Sequence, residues 1–404
     1  MLATLAVLGC VLLHLRGYPR PALSIPFAAV LFWTGLASKE SAMVLPILLL
    51  LCDALVRSAS RHVRPWVPYL AYAAAAAAWG AMVYPHVGEL DPIAFVDNPI
   101  AALPRVERAI KAAAVLWQYV QITVLPIGLK ADRAFAMTNP SLVGGLVASA
   151  AWLAVLAACW RARRTHVLLA LLVTWFLAAF AVTSNVLFPI GTIMAERLVY
   201  LPSVASCLLF GLAAERFWRS GRTGRIATTA VIAAVTILFA FTYQARGRVW
   251  ASDEQYVVIT TLDSPDSAKA HFERGLFLAR NHDYAGAAPA FREALRIYPS
   301  FSRAAYYLAN VFLLQDEPES AADSYVQYLK TDPADIGVLS QLTTIQLGLD
   351  RFAEARTTAE RLIALEPDNP DHQAMLRLVE STEAASRSSE DTQSLNANSS
   401  NGSR

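Results

Sequence analysis

Charge is what this sequence has least of: Asp, Glu, Lys and Arg make up 16% of the 404 residues, against 55% hydrophobic. A soluble domain carries about 25% charged residues, so the shortfall excludes a chain wetted over its whole surface and points to a membrane protein. Cysteine is sparse too. Cys10, Cys52, Cys159 and Cys207 all fall in apolar segments without metal-ligand spacing, which excludes a disulfide scaffold and makes them small core side chains. No zinc-type His/Glu pattern, phosphate-binding glycine loop or nucleophile elbow occurs. A net charge of +2, without a basic run interleaved with aromatics, leaves no nucleic-acid footprint.

The scarcity is uneven. Apolar residues fill the chain to about Tyr243, and the remainder is polar with a helical pattern. Crossing a hydrocarbon core of about 30 Å takes roughly 20 apolar residues in a helix. Seven runs approach this: 21–37, 41–56, 66–84, 141–160, 167–187, 198–213 and 226–243. An eighth, 1–15, is shorter, and its basic residues Arg16 and Arg20 come after it, the reverse of a signal peptide. Met1 is therefore expected to lie inside a longer transmembrane segment. Four loops are basic, holding Arg16 and Arg20; Arg57, Arg61 and Arg64; Arg161, Arg163 and Arg164; and Arg216, Arg219, Arg222 and Arg225. Such residues resist translocation, so these loops are expected in the cytoplasm. Lys39-Glu40, the long loop 85–140, Glu196-Arg197 and everything after Tyr243 then fall on the opposite face. Within the long loop, the run 109–129 carries Lys111, Gln118, Gln121 and Pro126, the composition of an interfacial or re-entrant helix.

The polar part is a repeat array. Pro299, Pro333 and Pro367 are spaced by 34 residues, as are Ala287, Ala321 and Ala355, which is the tetratricopeptide period. Counting back from each proline defines repeats 268–301, 302–335 and 336–369. Small residues such as Gly275 and Ala309 let paired helices approach, aromatics such as Phe291 and Tyr325 fill the groove between them, and the proline stops the second helix. The resulting domain plan is a multi-spanning membrane domain 1–243; a linker and partial repeat 244–267; three repeats and a capping helix 268–381; and a disordered tail 382–404, rich in Ser, Asn, Thr and Glu. The fold class is all-α, a polytopic transmembrane helix bundle followed by an α-solenoid. Arrays of this kind bind polypeptides, so a protein partner is expected.

The stretch 185–202, NVLFPIGTIMAERLVYLP, places an acid and a base, Glu196 and Arg197, between two hydrophobic runs. Charges there must sit at the membrane surface or in a polar cavity, where they either anchor a helix end or build a site. Lys39 and Glu40 pose the same alternative between two spans with almost no loop. Of the long-loop charges Asp91, Asp97, Lys130, Asp132 and Arg133, Asp132 is best placed, because it follows the re-entrant run directly.

Five stretches carry a resemblance: GLASKE (35–40), DNPIA (97–101), LPIGLKADRAF (125–135), FPIGTIMAERLVYLPS (188–203), and VWASDEQY followed by SPDSAKAHFERG within 249–275. In that order they resemble the transmembrane and tetratricopeptide repeat-containing protein family, which are protein O-mannosyltransferases of the C-type glycosyltransferase fold. The resemblance implies transfer of mannose or a similar sugar from a polyprenyl-phosphate carrier to Ser or Thr of a translocated protein. It makes the carrier-linked sugar the donor, with no metal or further cofactor assigned. Arg197 would stabilise the leaving phosphate, Glu196 would orient it or the acceptor, Lys39 beside Glu40 would add a positive contact, and Asp132 would bond sugar hydroxyls. The family's acidic catalytic loop has no counterpart here, which implies either that the general base belongs to a segment ahead of Met1 in a longer frame, the favoured expectation, or that the chain is a remnant without it. Membrane lipid, donor and acceptor polypeptide are the expected partners. A bacterial inner membrane with periplasmic repeats is the expected location, with an endoplasmic reticulum membrane as the alternative. Two other functions fit the same features: a non-catalytic membrane-tethered repeat scaffold, and a lipid-linked glycan ligase or polymerase.

Overall fold

The computed structural model describes residues 1–55, 64, 66–85, 95–125, 128–133, 141–187 and 189–401, with side chains up to Ser388. Arg57, Arg61, Asp91, Pro126, Phe135 and Phe188 lie outside the described residues. The described elements are all helices, in two compact units, Met1–Ser252 and Asp253–Arg404.

The first unit runs α1 (Leu2–Leu15), α2 (Pro21–Ser38), a 3-10 turn Glu40–Val44, α3 (Leu45–Leu55), α4 (Trp66–Val83), α5 (Arg105–Val124), α6 (Leu142–Ala162), α7 (Val167–Ala181), a 3-10 turn Glu196–Val199, α8 (Tyr200–Trp218) and α9 (Arg222–Val249). Helices apolar on all sides need an apolar surround. On α2, Ile25, Ala28, Phe32 and Leu36 pack inward, while Leu23, Phe27 and Val30 point out and stay exposed. Five helical segments are long and apolar enough to cross a bilayer: Pro21–Ser38, Trp66–Val83, Leu142–Ala162, Glu196–Trp218 and Arg222–Val249. This is the surface of a membrane protein.

Four sequence boundaries move. The run 41–56 divides into the 3-10 turn and α3, so its first residues do not begin an α-helix. The run 167–187 stops as helix at Ala181, because Asn185 takes a left-handed backbone with φ 61°, a conformation that ends regular helices. The first unit extends past Tyr243 because α9 continues unbroken to Val249. The stretch expected as a disordered tail instead continues helix to Asn401.

Polar anchors hold the elements where apolar packing alone is non-directional. Between α1, α3 and α4, His14 Nε2 lies 2.8 Å from Asp53 Oδ1, and Tyr69 donates to Asp53 Oδ2 at 2.8 Å. Near the other end of the helices, Asn185 is the hub. Its Oδ1 accepts from Asn98 Nδ2 at 2.8 Å and from the Ile190 N–H at 2.9 Å. Its Nδ2 donates to the Thr192 carbonyl at 3.1 Å, and its own carbonyl accepts from Arg108 Nε at 3.1 Å. The backbone adds Ile193 N–H to the Asp97 carbonyl at 3.2 Å. The side chains of Asn98, Arg108 and Asn185 are all buried. They tie the segment after α7 to the turn before α5 and to α5 itself. That helix presents Arg108, Ala112, Val115 and Tyr119 inward along one face, while Trp152 of α6 donates to the Ala113 carbonyl at 3.1 Å. The predicted polar helix 109–129 is thus a packed element, and it is not among the five span candidates.

The second unit comprises α10 (Asp253–Asp263), α11 (Ala268–Arg280), α12 (Tyr284–Ile297), α13 (Ser302–Leu314), α14 (Pro318–Leu329), α15 (Ile336–Gly348), α16 (Phe352–Leu365) and α17 (Pro370–Asn401). The repeat period reappears in the backbone: His282, Asp316 and Asp350 all take φ near 60°. Each closes the same helix end. The N–H of Asp283, Glu317 and Arg351 returns to the carbonyl of Leu278, Phe312 and Gln346 at 2.9 Å, a Schellman motif that satisfies carbonyls otherwise left bare. Phe272, Phe291, Phe301 and Tyr307 form the aromatic core of the first repeat pair. α17 is held by Arg356 on Glu383 at 2.6 Å, and Glu383 also pairs with Arg387 one turn on. Those pairs steady the helix around residues 383–387.

These contacts predict the effect of four substitutions. A Cβ on Gly275 would meet the fully buried Phe291 ring at 2.6 Å, whereas one on Gly348 meets nothing within 4 Å. Gly275→Ala should therefore destabilise the repeats by about 1–3 kcal/mol and Gly348→Ala stabilise them by about 0.5–1 kcal/mol, read from thermal melts of the detergent-solubilised chain. Asn185→Ala, which loses the amide bonds and the tolerance of positive φ, should cost about 3 kcal/mol in the membrane unit. Asn185→Gly should cost less, because glycine keeps the turn.

Candidate functional site

The Asn185 hub delivers the next segment to its place. Ile193 and Met194 are buried against Phe180 and Tyr119, and the Ala195 N–H donates to the Tyr119 hydroxyl at 2.9 Å. Burial pushes that phenol above its usual pKa, so it stays a neutral anchor at physiological pH. Glu196 and Arg197 then open the 3-10 turn that leads into α8.

Glu196 is clasped from three directions. The Lys130 N–H donates to its Oε1 at 2.9 Å, Arg133 Nη2 lies 3.8 Å from the same oxygen, and Arg246 Nη2 of α9 lies 3.7 Å from Oε2. Arg133 also donates to the carbonyl of Gly128 at 2.6 Å, and Arg246 to that of Leu129 at 3.3 Å. Gly128 sits at φ 65°, a turn glycine makes without strain. Burial pulls the Arg133 guanidinium below its ordinary pKa, and Glu196 opposes that shift. One carboxylate thus joins the loop 128–133, the start of α8 and the end of α9. With one N–H bond and two guanidinium groups within 4 Å, the carboxylate is placed to organise cations.

Arg197 is exposed and forms no ion pair among the described residues. It stands where two cavities meet. The larger, about 510 Å³, is lined by Lys130, Glu196, Arg197, Tyr200, Ser203, Arg246 and Trp250. The smaller, about 160 Å³, is lined by Ser38, Lys39, Ser41, Thr183, Arg197 and Tyr200 among others. Four positively charged side chains therefore border these two cavities against one carboxylate. Such a surface binds anions, and guanidinium groups match a phosphate or carboxylate through their paired N–H donors.

Of the residues singled out in the sequence, Arg197, Glu196 and Lys39 line this space. Glu40 begins its own 3-10 turn, exposed, and lines neither cavity; Asp132 is half-buried beside Arg133 and lines neither. Sequence reasoning passed over Arg246, Trp250, Thr183 and the Asn98, Arg108 and Asn185 supports. One signal for Arg246 was present: with Arg248 it puts charge in the last turn of an otherwise apolar helix.

Two tetratricopeptide repeat family models match the second unit, one over residues 254–300 and 278–336 and the other over 312–379. Such repeats are a protein-interaction module. Among curated proteins, the chain is 33% identical over 153 residues to the human protein O-mannosyl-transferase TMTC1, covering 37% of this chain and 17% of the relative. It is 55% identical over 40 residues to protein O-mannosyl-transferase Tmtc1 of Drosophila melanogaster, covering 10% of this chain and 5% of the relative. The chain thus spans under a fifth of the length of these relatives. Among solved structures, the first tetratricopeptide domain of Spaghetti (RPAP3), bound to an HSP90 peptide, aligns with 29% of this chain and 95% of its own at 18% identity and a TM-score of 0.25. Membrane helices, repeats and these relatives agree: the chain is a tetratricopeptide-repeat membrane protein similar to the TMTC protein O-mannosyl-transferases.

Proposed function

We propose that this chain forms the donor-binding and acceptor-recruiting part of a protein O-glycosyltransferase. It would bind a polyprenyl-phosphate-linked sugar, mannose by analogy with the relatives' names, for transfer to a Ser or Thr hydroxyl. The observation that carries this reading is Arg197, an unpaired guanidinium bordering two cavities, with Lys39 on one side and Lys130 and Arg246 on the other. A lipid-linked donor presents its phosphate at the headgroup level, where a polar site between membrane helices meets it.

The chemistry assigned to these residues is electrostatic. As the bond between sugar and phosphate breaks, negative charge grows on the departing phosphate oxygens, and a preorganised Arg197 stabilises that charge more than it stabilises the bound donor. Glu196 holds Arg133 and Arg246 in place, so no reorganisation is needed at the moment of transfer. The acceptor hydroxyl must lose its proton to a general base, which we assign to no residue of this chain. The repeats would hold the acceptor polypeptide, on the non-cytoplasmic face that the loop arginines assign to everything after Tyr243.

In a full-length protein, Arg197→Ala should lower sugar transfer from a polyprenyl-phosphate mannose to a Ser/Thr peptide by about 10²–10³-fold, with insertion and melting temperature unchanged. Arg197→Lys should recover only part of this, since it restores charge without the donor fork. Unchanged transfer in Arg197→Ala removes the assigned role and favours the scaffold. Glu196→Gln should lower transfer by about tenfold or more, by releasing Arg246 and Arg133 from their carboxylate. Product recovered on free glycan instead of protein would assign the site to a lipid-linked glycan ligase.

A further inference from the structure

Thr183 lies just past the end of α7 and is 4% exposed, with its N–H bonded to the Phe180 carbonyl at 2.9 Å. Its hydroxyl is buried and has no hydrogen-bond partner among the described residues. Its neighbours do better. Ser184 donates to the Ala181 carbonyl at 3.2 Å, and Thr174 on the same helix to the Ala170 carbonyl at 2.7 Å. Buried polar side chains usually find a partner; the hydroxyls of Thr228 and Thr260 also lack one among the described residues, but of the three it is Thr183 that stands beside cations in a cavity. Thr183 lines the smaller cavity, together with Lys39 and Arg197.

The two cavities differ in charge and size. The larger contains the Glu196 carboxylate and Trp250, while Tyr200 lines both. The smaller is lined by the side chains of Lys39 and Arg197, by several hydroxyl side chains and by Met1, and by no carboxylate. At about 160 Å³ it has room for about five waters at roughly 30 Å³ each, enough for a phosphate group. An anion is favoured where cations meet without a competing acid, and a hydroxyl adds a directed bond that a point charge does not.

We infer that Thr183 is a phosphate-binding residue: its hydroxyl donates to the phosphate of the lipid-linked donor, which seats in the smaller cavity between Lys39 and Arg197. This rests on the donor-site reading and adds a residue and a location to it. The sugar then lies across Arg197 in the larger cavity, where hydroxyl-bonding groups and aromatic faces suit a neutral ring.

The test is equilibrium binding of radiolabelled polyprenyl phosphate, free polyprenol and inorganic phosphate to the detergent-solubilised full chain. Thr183→Val keeps the shape and removes the hydroxyl, so it should weaken polyprenyl phosphate by about 10–100-fold, the worth of a hydrogen bond to a charged group. Thr183→Ser should restore binding, and polyprenol should bind all variants alike. A purely structural role would lower the ligand-free melting temperature of Thr183→Val, and finding that drop with unaltered polyprenyl phosphate affinity overturns the assignment. Wild-type affinity in Thr183→Val, with binding lost in Arg197→Ala, overturns Thr183 alone. Wild-type affinity in Arg197→Ala overturns the donor site itself. Inorganic phosphate binding as tightly as polyprenyl phosphate would overturn the lipid as its source.

Discussion

Asn185 takes a left-handed backbone and spends both halves of its amide on neighbouring segments, with Asn98 and Arg108 completing the set. The site depends on this turn, because in an apolar surround packing selects no direction and only hydrogen bonds fix where a loop points. Without it, the apolar run that begins at Val167 has no reason to leave the helix before the residues that lead to Glu196 and Arg197. A buried asparagine is tolerable there because nearly every donor and acceptor it brings is satisfied, and left-handed backbone is least costly for Asn among side-chain-bearing residues.

From that turn the electrostatics are set. Glu196 accepts from the Lys130 N–H and lies within 4 Å of two guanidinium groups. The separations are long for ion pairs, and the carboxylate is partly exposed, so each is worth about 1 kcal/mol or less. Their importance is geometric: one acid fixes two like charges that would otherwise repel, and leaves Arg197 beside them without an ion-pair partner among the described residues. An organised excess of positive charge at a membrane surface is expensive to keep unless an anion periodically occupies it.

The helices and the repeats were legible in the sequence at the outset. Span candidates such as 21–37, 66–84, 141–160 and 226–243 fall on α2, α4, α6 and α9, because length and apolarity are one-dimensional properties. The repeat boundaries were equally plain, since a period of 34 residues is written in the prolines and alanines, and it returns as left-handed turns at His282, Asp316 and Asp350. After Thr382 low hydrophobicity excludes a core, while Glu383 pairs with Arg356 and Arg387 on the helical backbone there. The site was half visible: Glu196, Arg197 and Lys39 stood out as charges between apolar runs, whereas Arg246 looked like a helix-end residue and Thr183 like part of a span.

By itself the sequence determined that this is an all-helical membrane protein ending in tetratricopeptide repeats, because hydropathy and periodicity act locally along the chain. Only the tertiary structure decided which charges meet. Lys130, Glu196 and Arg246 converge from three separate elements, Lys39 and Thr183 reach the opposite side of Arg197, and Glu40 and Asp132 stand apart. Those outcomes turn on where the loops between helices fold back, and that is set by a few buried hydrogen bonds around Asn185 whose partners are 77 to 87 residues away.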